Sequence, residues 1–319
     1  MFACRDVHID NIKTVSEIGW DDGIDVVSCK NVLIENCFLR NKDDCIAIKA
    51  GVGYAPKYFN HSLPNNVENV TVRKCVVWNS IWGNGLEIGF ETRGDEIKNI
   101  VFEDIDIIHT QRNPKWKEGK EGTFTIHNGD RAKIHNVLYK NIRVEDPENY
   151  LIDIRIMFSR YSKDKTRGKV CDIRFEDIYV KASVIGAVND GNLLIGALFD
   201  STVIKNVIAD ITVNEDVTVY GMGKSYNQGT PTIENVYIVC NRKVSDVVFG
   251  GSKKNVSASY PSVSDLVSAQ KFETFTGWNA EEGNVPYLSE YNGEPVYIVE
   301  GAMQQGGFLT VAVTEVKAS

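Results

Sequence analysis

Acidic residues recur at fixed places in this 319-residue chain. Asp21 and Asp22 precede Gly23-Ile24-Asp25, Asp43 and Asp44 precede Cys45-Ile46-Ala47, and Gly83 and Asn84 precede Gly85-Leu86-Glu87. Aligning Ile24, Ile46, Leu86 and Phe124 as inward-facing residues puts Asp22, Asp44 and Asn84 in one column and Asp21, Asp43 and Gly83 beside it. Parallel strands stack about 4.8 Å apart. Asp22 and Asp44 are therefore expected as near neighbours on one outer face, with Asp43 at their edge. Like charges that close, with no basic residue in their column, raise at least one pKa, which is how an acid–base pair becomes poised near neutral pH. Two other readings compete: turn residues at a solvated corner, or ligands for a hard cation such as calcium.

Further candidates flank this cluster. Lys49 and His127 stand three residues past their anchors. Alternate residues of a strand share a face, so Glu87 is expected to point toward the same groove, with Glu91 and Arg93 after it. Glu91 and Arg93 also read as an ion pair on a solvated rim. His127 reads as a hydrogen-bond donor to substrate or as a satisfied surface histidine. Trp20, Trp78 and Trp82 lie near the carboxylates and offer flat faces to a sugar, although such residues also fill cores.

The elements that position these groups are repeats. One phrase begins at Asp6, Asn31, Asn69, Asn99, Asn136 and Asp172, with weaker copies at Asn206 and Asn235; the spacing is 25 to 38 residues. Asn99-Ile-Val-Phe-Glu-Asp-Ile is representative. Its apolar residues alternate with polar ones and are rich in Val, Ile and Phe, the strand pattern. The second, carboxylate-bearing phrase lies between copies, and no long amphipathic helix intervenes. Two or more strands per irregular period predict an all-β parallel solenoid of about eight coils, because one coil cannot bury its apolar face alone. Residues 1–250 form this solenoid. Residues 251–319 lose the phrase and read as a last coil or a packing tail.

Composition excludes several classes. The formal charge is −8 and the pI near 5.3, without the basic stripe of a nucleic-acid binder. No apolar run approaches the roughly 20 residues of a membrane span, and no signal peptide is visible. Seven widely spaced cysteines contain no CxxC pair, so they read as small buried hydrophobes rather than as a zinc or disulfide framework. No cofactor and no bound metal are expected.

The motifs resemble those of polygalacturonase-like enzymes, glycoside hydrolase family 28. Asp21-Asp22-Gly23-Ile24-Asp25 resembles the family's Asn-Thr-Asp-Gly-Ile-Asp, and Lys42-Asp43-Asp44-Cys45-Ile46-Ala47-Ile48-Lys49 its Gly-Asp-Asp-Cys-Ile-Ala-Ile-Lys. Gly83-Asn84-Gly85-Leu86-Glu87-Ile88-Gly89 is similar to its Gly-His-Gly-Leu-Ser-Ile-Gly. The resemblance implies a right-handed parallel β-helix and an inverting glycosidase. In it Asp43 is the general acid and Asp22 and Asp44 activate water; from their places beside this cluster, Asn84, Glu87, Lys49, Glu91, Arg93, His127 and Trp82 are expected to bind the substrate. The family's histidine is Asn84 here, and its Arg-Ile-Lys has no counterpart around Thr123-Phe124-Thr125-Ile126-His127. Losing those cations removes charge-assisted contacts to an acidic sugar, which points to a neutral carbohydrate substrate. The related dextranase and isopullulanase family, which acts on neutral α-glucans, is similar through Trp78-Asn79 and Ile107-Ile108-His109-Thr110. Members are often secreted or periplasmic, and several coils usually precede the first Asp motif. Here Met1 begins about one coil earlier, so missing coils, or an oligomer covering that end, are expected. Two further readings remain: a non-catalytic carbohydrate-binding or structural β-helix, and a polysaccharide lyase with Lys49 as base.

Overall fold

The computed structural model describes residues 1–51, 65–113, 121–148, 150–184, 195–197, 202–213 and 232–241, and the backbone of several later strands. Among the described residues there is no helix, and so none long and apolar enough to cross a membrane. The strands stack in parallel into a β-helix with a 12-stranded and a 6-stranded sheet. The smaller sheet carries the carboxylate phrases. Its neighbouring strands run Ile195–Ala197, Tyr150–Ile156, Gly122–Asn128, Leu86–Thr92, Ile46–Ala50 and Ile24–Val27. Ile24 pairs with Ile46, Ile46 with Leu86, and Leu86 with Phe124, the register expected from the sequence.

The repeat phrase explains the larger sheet. Its first residue bends the chain through the left-handed region: φ is 54° at Asp6, 55° at Asn31, 59° at Asn69, 58° at Asn99 and 54° at Asn136. Asn and Asp tolerate that region because their short side chains bond locally. Here the bonds run between coils. Each amide donates to the residue before it, at 2.8 Å (Asn31 to Asp6), 2.9 Å (Asn69 to Asn31), 2.8 Å (Asn99 to Asn69) and 2.8 Å (Asn136 to Asn99). The fourth residue of each phrase faces inward. Phe102, Tyr139 and Phe175 stack at 4.9 and 4.7 Å in the core, and each aromatic pair adds about 0.5–1.5 kcal/mol beyond its buried area. Among the cysteines, Cys29, Cys37, Cys45, Cys75 and Cys240 are buried and unbridged.

One expected alignment shifts. The phrase at Asn206 does not start level with Asp172. Val207 pairs with Ile178, and Asn206 donates to Asp177 at 2.7 Å, so Asn206 occupies the sixth position of the phrase. Both positions bend at positive φ and precede apolar alternation (Asp172 at 55°, Asp177 at 56°), so residue type alone does not separate them. Core packing fixes the register. The parallel ladder continues through Ser252–Tyr260, which pairs with Thr232–Cys240; farther on, Val296–Met303 and Leu309–Val316 form an antiparallel pair.

Candidate active site

The strand starts of the smaller sheet bring the acidic phrases together. Gly23 N donates to Asp44 O at 2.8 Å and Cys45 N to Asn84 O at 3.0 Å, which locks Asp22, Asp44 and Asn84 into one column. Gly83 is required beside them: a Cβ there would stand 2.2 Å from the backbone carbon of Asp43. One carboxylate oxygen from each of Asp22, Asp43 and Asp44 lies within 4.8 Å of the others.

Three environments result. Asp44 is buried, and its Oδ1 accepts both the backbone N–H and the side-chain amide of Asn84, each at 2.8 Å. Burial, then the charges of Asp22 and Glu87, holds its carboxyl well above the ordinary range. Asp43 carries one described side-chain bond, from Asp44 N at 3.2 Å. Burial, then the charge of Asp22, pushes it up to about 6. Asp22 is ion-paired with Lys49, whose Nζ donates to its Oδ2 at 2.6 Å. Lys49 also reaches Asp25 Oδ1 at 3.2 Å. Burial opposes that ammonium, but Asp25, Asp22 and Asp44 hold its pKa far above normal. Asp25 rises to about 6, chiefly by burial, against the pull of Lys49. Lys49, expected to flank the cluster, is carried by its strand back over Asp22 and Asp25. The three carboxylates could share a cation, but Lys49 already occupies Asp22 and competes for it.

Several other residues stand elsewhere than expected. Asn84 is nearly enclosed; beyond holding Asp44 it accepts Gly122 N at 2.9 Å, so it ties three coils rather than facing a ligand. Glu87 and His127 do not line the groove; both are fully buried. His127 Nδ1 lies 3.1 Å from Glu87 Oε1 and its Nε2 3.4 Å from Asp153 Oδ2, with Phe90 stacked on the ring at 4.5 Å. Thr125 Oγ1 also donates to Glu87. Burial pulls the imidazole down, but Glu87 and Asp153 overcome it and raise it to about 10. Outward-facing residues end up enclosed because Phe90, with Tyr161 behind it, covers this face. Glu91 is buried, its carboxyl raised chiefly by burial and lowered by the charge of Lys49. Arg93 turns away, to Asp164 at 3.8 Å. Trp82 sits at the rim: its backbone N–H donates to Lys42 O at 2.9 Å, Lys42 Nζ lies 5.1 Å from its ring, and Trp20 meets it edge-on at 6.0 Å. Trp78 instead lies under Arg40, 4.8 Å away, and edge-on to His109.

Sequence reasoning missed Glu121. It stands three residues before Phe124, as Asp43 stands before Ile46, so the alignment carried one coil further finds it. Its Oε2 accepts Asn113 N at 3.3 Å, while Oε1 is buried without a partner. Burial, with a contribution from the charge of Asp43, pushes it up to about 7. Both carboxylate oxygens of Asp21, on the other side of Asp43, are buried and unbonded as well. Gln111 and Arg112, just before the Asn113 that holds Glu121, line an open cavity of about 500 Å³ with Ile81 and Glu148.

The profile of the glycosyl hydrolases family 28 matches residues 1–266. Among curated proteins, the chain is 28% identical over 160 residues to a probable endopolygalacturonase C of Aspergillus niger, covering 49% of this chain and 35% of that protein. It is 28% identical over 187 residues to a probable endopolygalacturonase E of the same species, covering 58% and 41%. An endopolygalacturonase A of Aspergillus niger is 25% identical over 180 residues, covering 54% and 41%. The aligned stretches thus span about two fifths or less of these relatives.

Proposed function

Because the chain belongs to glycosyl hydrolase family 28, whose fold is a right-handed parallel β-helix, we propose that it hydrolyses α-glycosidic bonds of a carbohydrate at the Asp22–Asp43–Asp44 cluster. The observation that carries this reading is the split between neighbours: Asp43 is raised to about 6, while Asp22 is ion-paired with Lys49. Asp43 is the general acid and protonates the leaving oxygen. Asp22, ion-paired with Lys49, takes the proton of the attacking water, and Asp44 orders that water beside it. A general acid works best with a pKa near the operating pH.

The stereochemical outcome is inversion, as the family resemblance implies. Inverting pairs stand about 6.5–9.5 Å apart so that a water fits between them. The nearest oxygens here are closer, within 4.8 Å. Asp43, with its single long hydrogen bond, is the group that turns outward when sugar enters.

The substrate is a neutral sugar chain. The groove presents Asp22 and Asp43, with Asp44, Glu91 and Glu121 buried behind them, and its central cation is already shared by Asp22 and Asp25. An anionic sugar entering it finds the cation of the cluster, Lys49, already paired with Asp22 and Asp25. One observation favours a second reading, polygalacturonate: Arg112 lines the adjoining cavity, and the relatives are endopolygalacturonases by name. Reducing-sugar release from dextran, pullulan and polygalacturonic acid, by wild type and by Asp43→Asn, tests the whole. Release from a neutral glucan that is lost in the variant is expected. Release from polygalacturonic acid alone replaces the neutral reading with the second, and equal release by both proteins removes Asp43 as the acid.

A further inference from the structure

The segment 157–168 leaves the end of the Tyr150–Ile156 strand and is pinned at both feet. Met157 N donates to Asn128 O at 3.1 Å and Gly168 N to Asp130 O at 2.7 Å. Between the feet, the buried Asp130 accepts Lys163 N at 2.6 Å and Asp164 N at 2.7 Å with one oxygen, and Thr92 N at 3.3 Å with the other. Asp164 in turn accepts Arg131 Nη1 at 2.9 Å. The segment is therefore a fixed strap.

Its tip reaches back across the sheet. Tyr161 packs on Phe90 with ring centroids 6.0 Å apart, and Phe90 lies flat on His127. Arg160, which donates to the Tyr161 hydroxyl, lies 5.4 Å over the ring of Trp20, a cation–π distance. Trp20 directly precedes Asp21 and Asp22, at the start of the Ile24–Val27 strand. Four strand spacings separate that strand from the one that launches the strap, a span of about 19 Å. The strap thus crosses from the strand ends of one coil to the strand starts of another, and meets the carboxylate column at its first member. On the side of Glu121, whose donor Asn113 follows Arg112, lies the open cavity of Ile81, Gln111, Arg112 and Glu148.

We infer that the strap closes the groove at Trp20–Arg160, so that this protein takes the end of a saccharide chain and releases a short product instead of cutting within the polymer. The inference rests on the hydrolase reading above. The terminal sugar lies against Trp20 and Trp82, and the remainder of the chain leaves through the cavity on the side of Glu121. The strap is the specificity-determining element; the chemistry stays with the carboxylates.

The experiment follows products from dextran, pullulan and polygalacturonic acid by chromatography and by viscosity against reducing ends. With the polymer that is cleaved, one short product from the earliest times and little loss of viscosity are expected. Arg160→Ala, at an exposed tip, is expected to raise the viscosity loss per reducing end several-fold and to add longer products. Asp130→Asn, which loosens the anchor, is expected to act in the same direction. A ladder of intermediate oligosaccharides from the wild type overturns this inference and leaves the hydrolase reading standing, and an Arg160→Ala pattern identical to wild type overturns the strap's role. No reducing ends from any polymer overturns the hydrolase reading and this inference with it.

Discussion

Two columns of stacked polar residues run along the same solenoid, and they obey opposite rules. In the corner column Asp6, Asn31, Asn69, Asn99 and Asn136 satisfy one another, since each amide has a donor for the residue before it and an acceptor for the next. In the site column Asp22 and Asp44 stack with Asn84, beside Asp21, Asp43 and Gly83. Ionised carboxylates have only acceptors, so stacking them leaves Asp21 without a partner and raises Asp43 and Asp44. The geometry of stacking is the same in both columns. Only the chemistry of the side chain decides whether the column stabilises the fold or stores the reactivity of a site.

The sharpest break in that contrast is to make the site column resemble the corner column. Asp43→Asn is expected to lower hydrolysis by about 10²–10⁴-fold, the usual worth of a positioned acid. Because the folded Asp43 has its pKa raised from 3.8 to about 6, ionising it costs the fold stability as pH climbs through that window. The same variant is therefore expected to melt roughly 2–4 °C higher at pH 7, read by calorimetry. Lost activity with a lower melting temperature would falsify the account of stored strain.

Next in size is the charge sandwich behind the column. His127→Asn leaves the buried Glu87 without its cation and Asp153 with Arg155 alone, at an expected cost of about 3–5 kcal/mol in denaturant unfolding. In the wild type the imidazole is raised from 6.5 to about 10. Its stabilisation is full below pH 6.5 and fades as pH rises toward 10, so melting temperature is expected to fall across that range and the variant to show a flatter curve.

Asn84→Ala removes the three-coil tie that joins Asp44, its own coil and Gly122. A loss of about 1–3 kcal/mol is expected for each group left unsatisfied, with the acid limb of the pH–rate profile displaced. The smallest effect belongs to the corner column. Asn99→Ala breaks two rungs, its own to Asn69 and that from Asn136, and forces alanine to φ 58°, which alone costs about 1–2 kcal/mol, with hydrolysis unchanged. A change in product pattern from that variant would break the separation between the two columns.

Much of the site was legible because strands have a period of two and coils stack in register. Ile24, Ile46, Leu86 and Phe124 align as their sequence contexts say, and Asp22, Asp43 and Asp44 follow from that alignment. Exposure was not legible. Glu87 and His127 are outward by parity, yet enclosed; Phe90, from the strand of Glu87, lies on His127, and Tyr161 arrives behind it from a further coil. The register at Asn206 was also hidden, since two positions of the phrase favour the same residue types.

The sequence by itself determined the stacking: Asn and Asp at the bends, alternating apolar residues between them, and acidic phrases in adjacent coils dictate a parallel solenoid with a carboxylate column. Only the tertiary structure decided that Lys49 folds onto Asp22 and Asp25, that Asn84 clamps Asp44, and that Arg160 crosses the sheet to Trp20. Periodicity fixes which residues share a face. What lies over that face depends on contacts between residues as far apart in the chain as Trp20 and Arg160, and no local pattern encodes them.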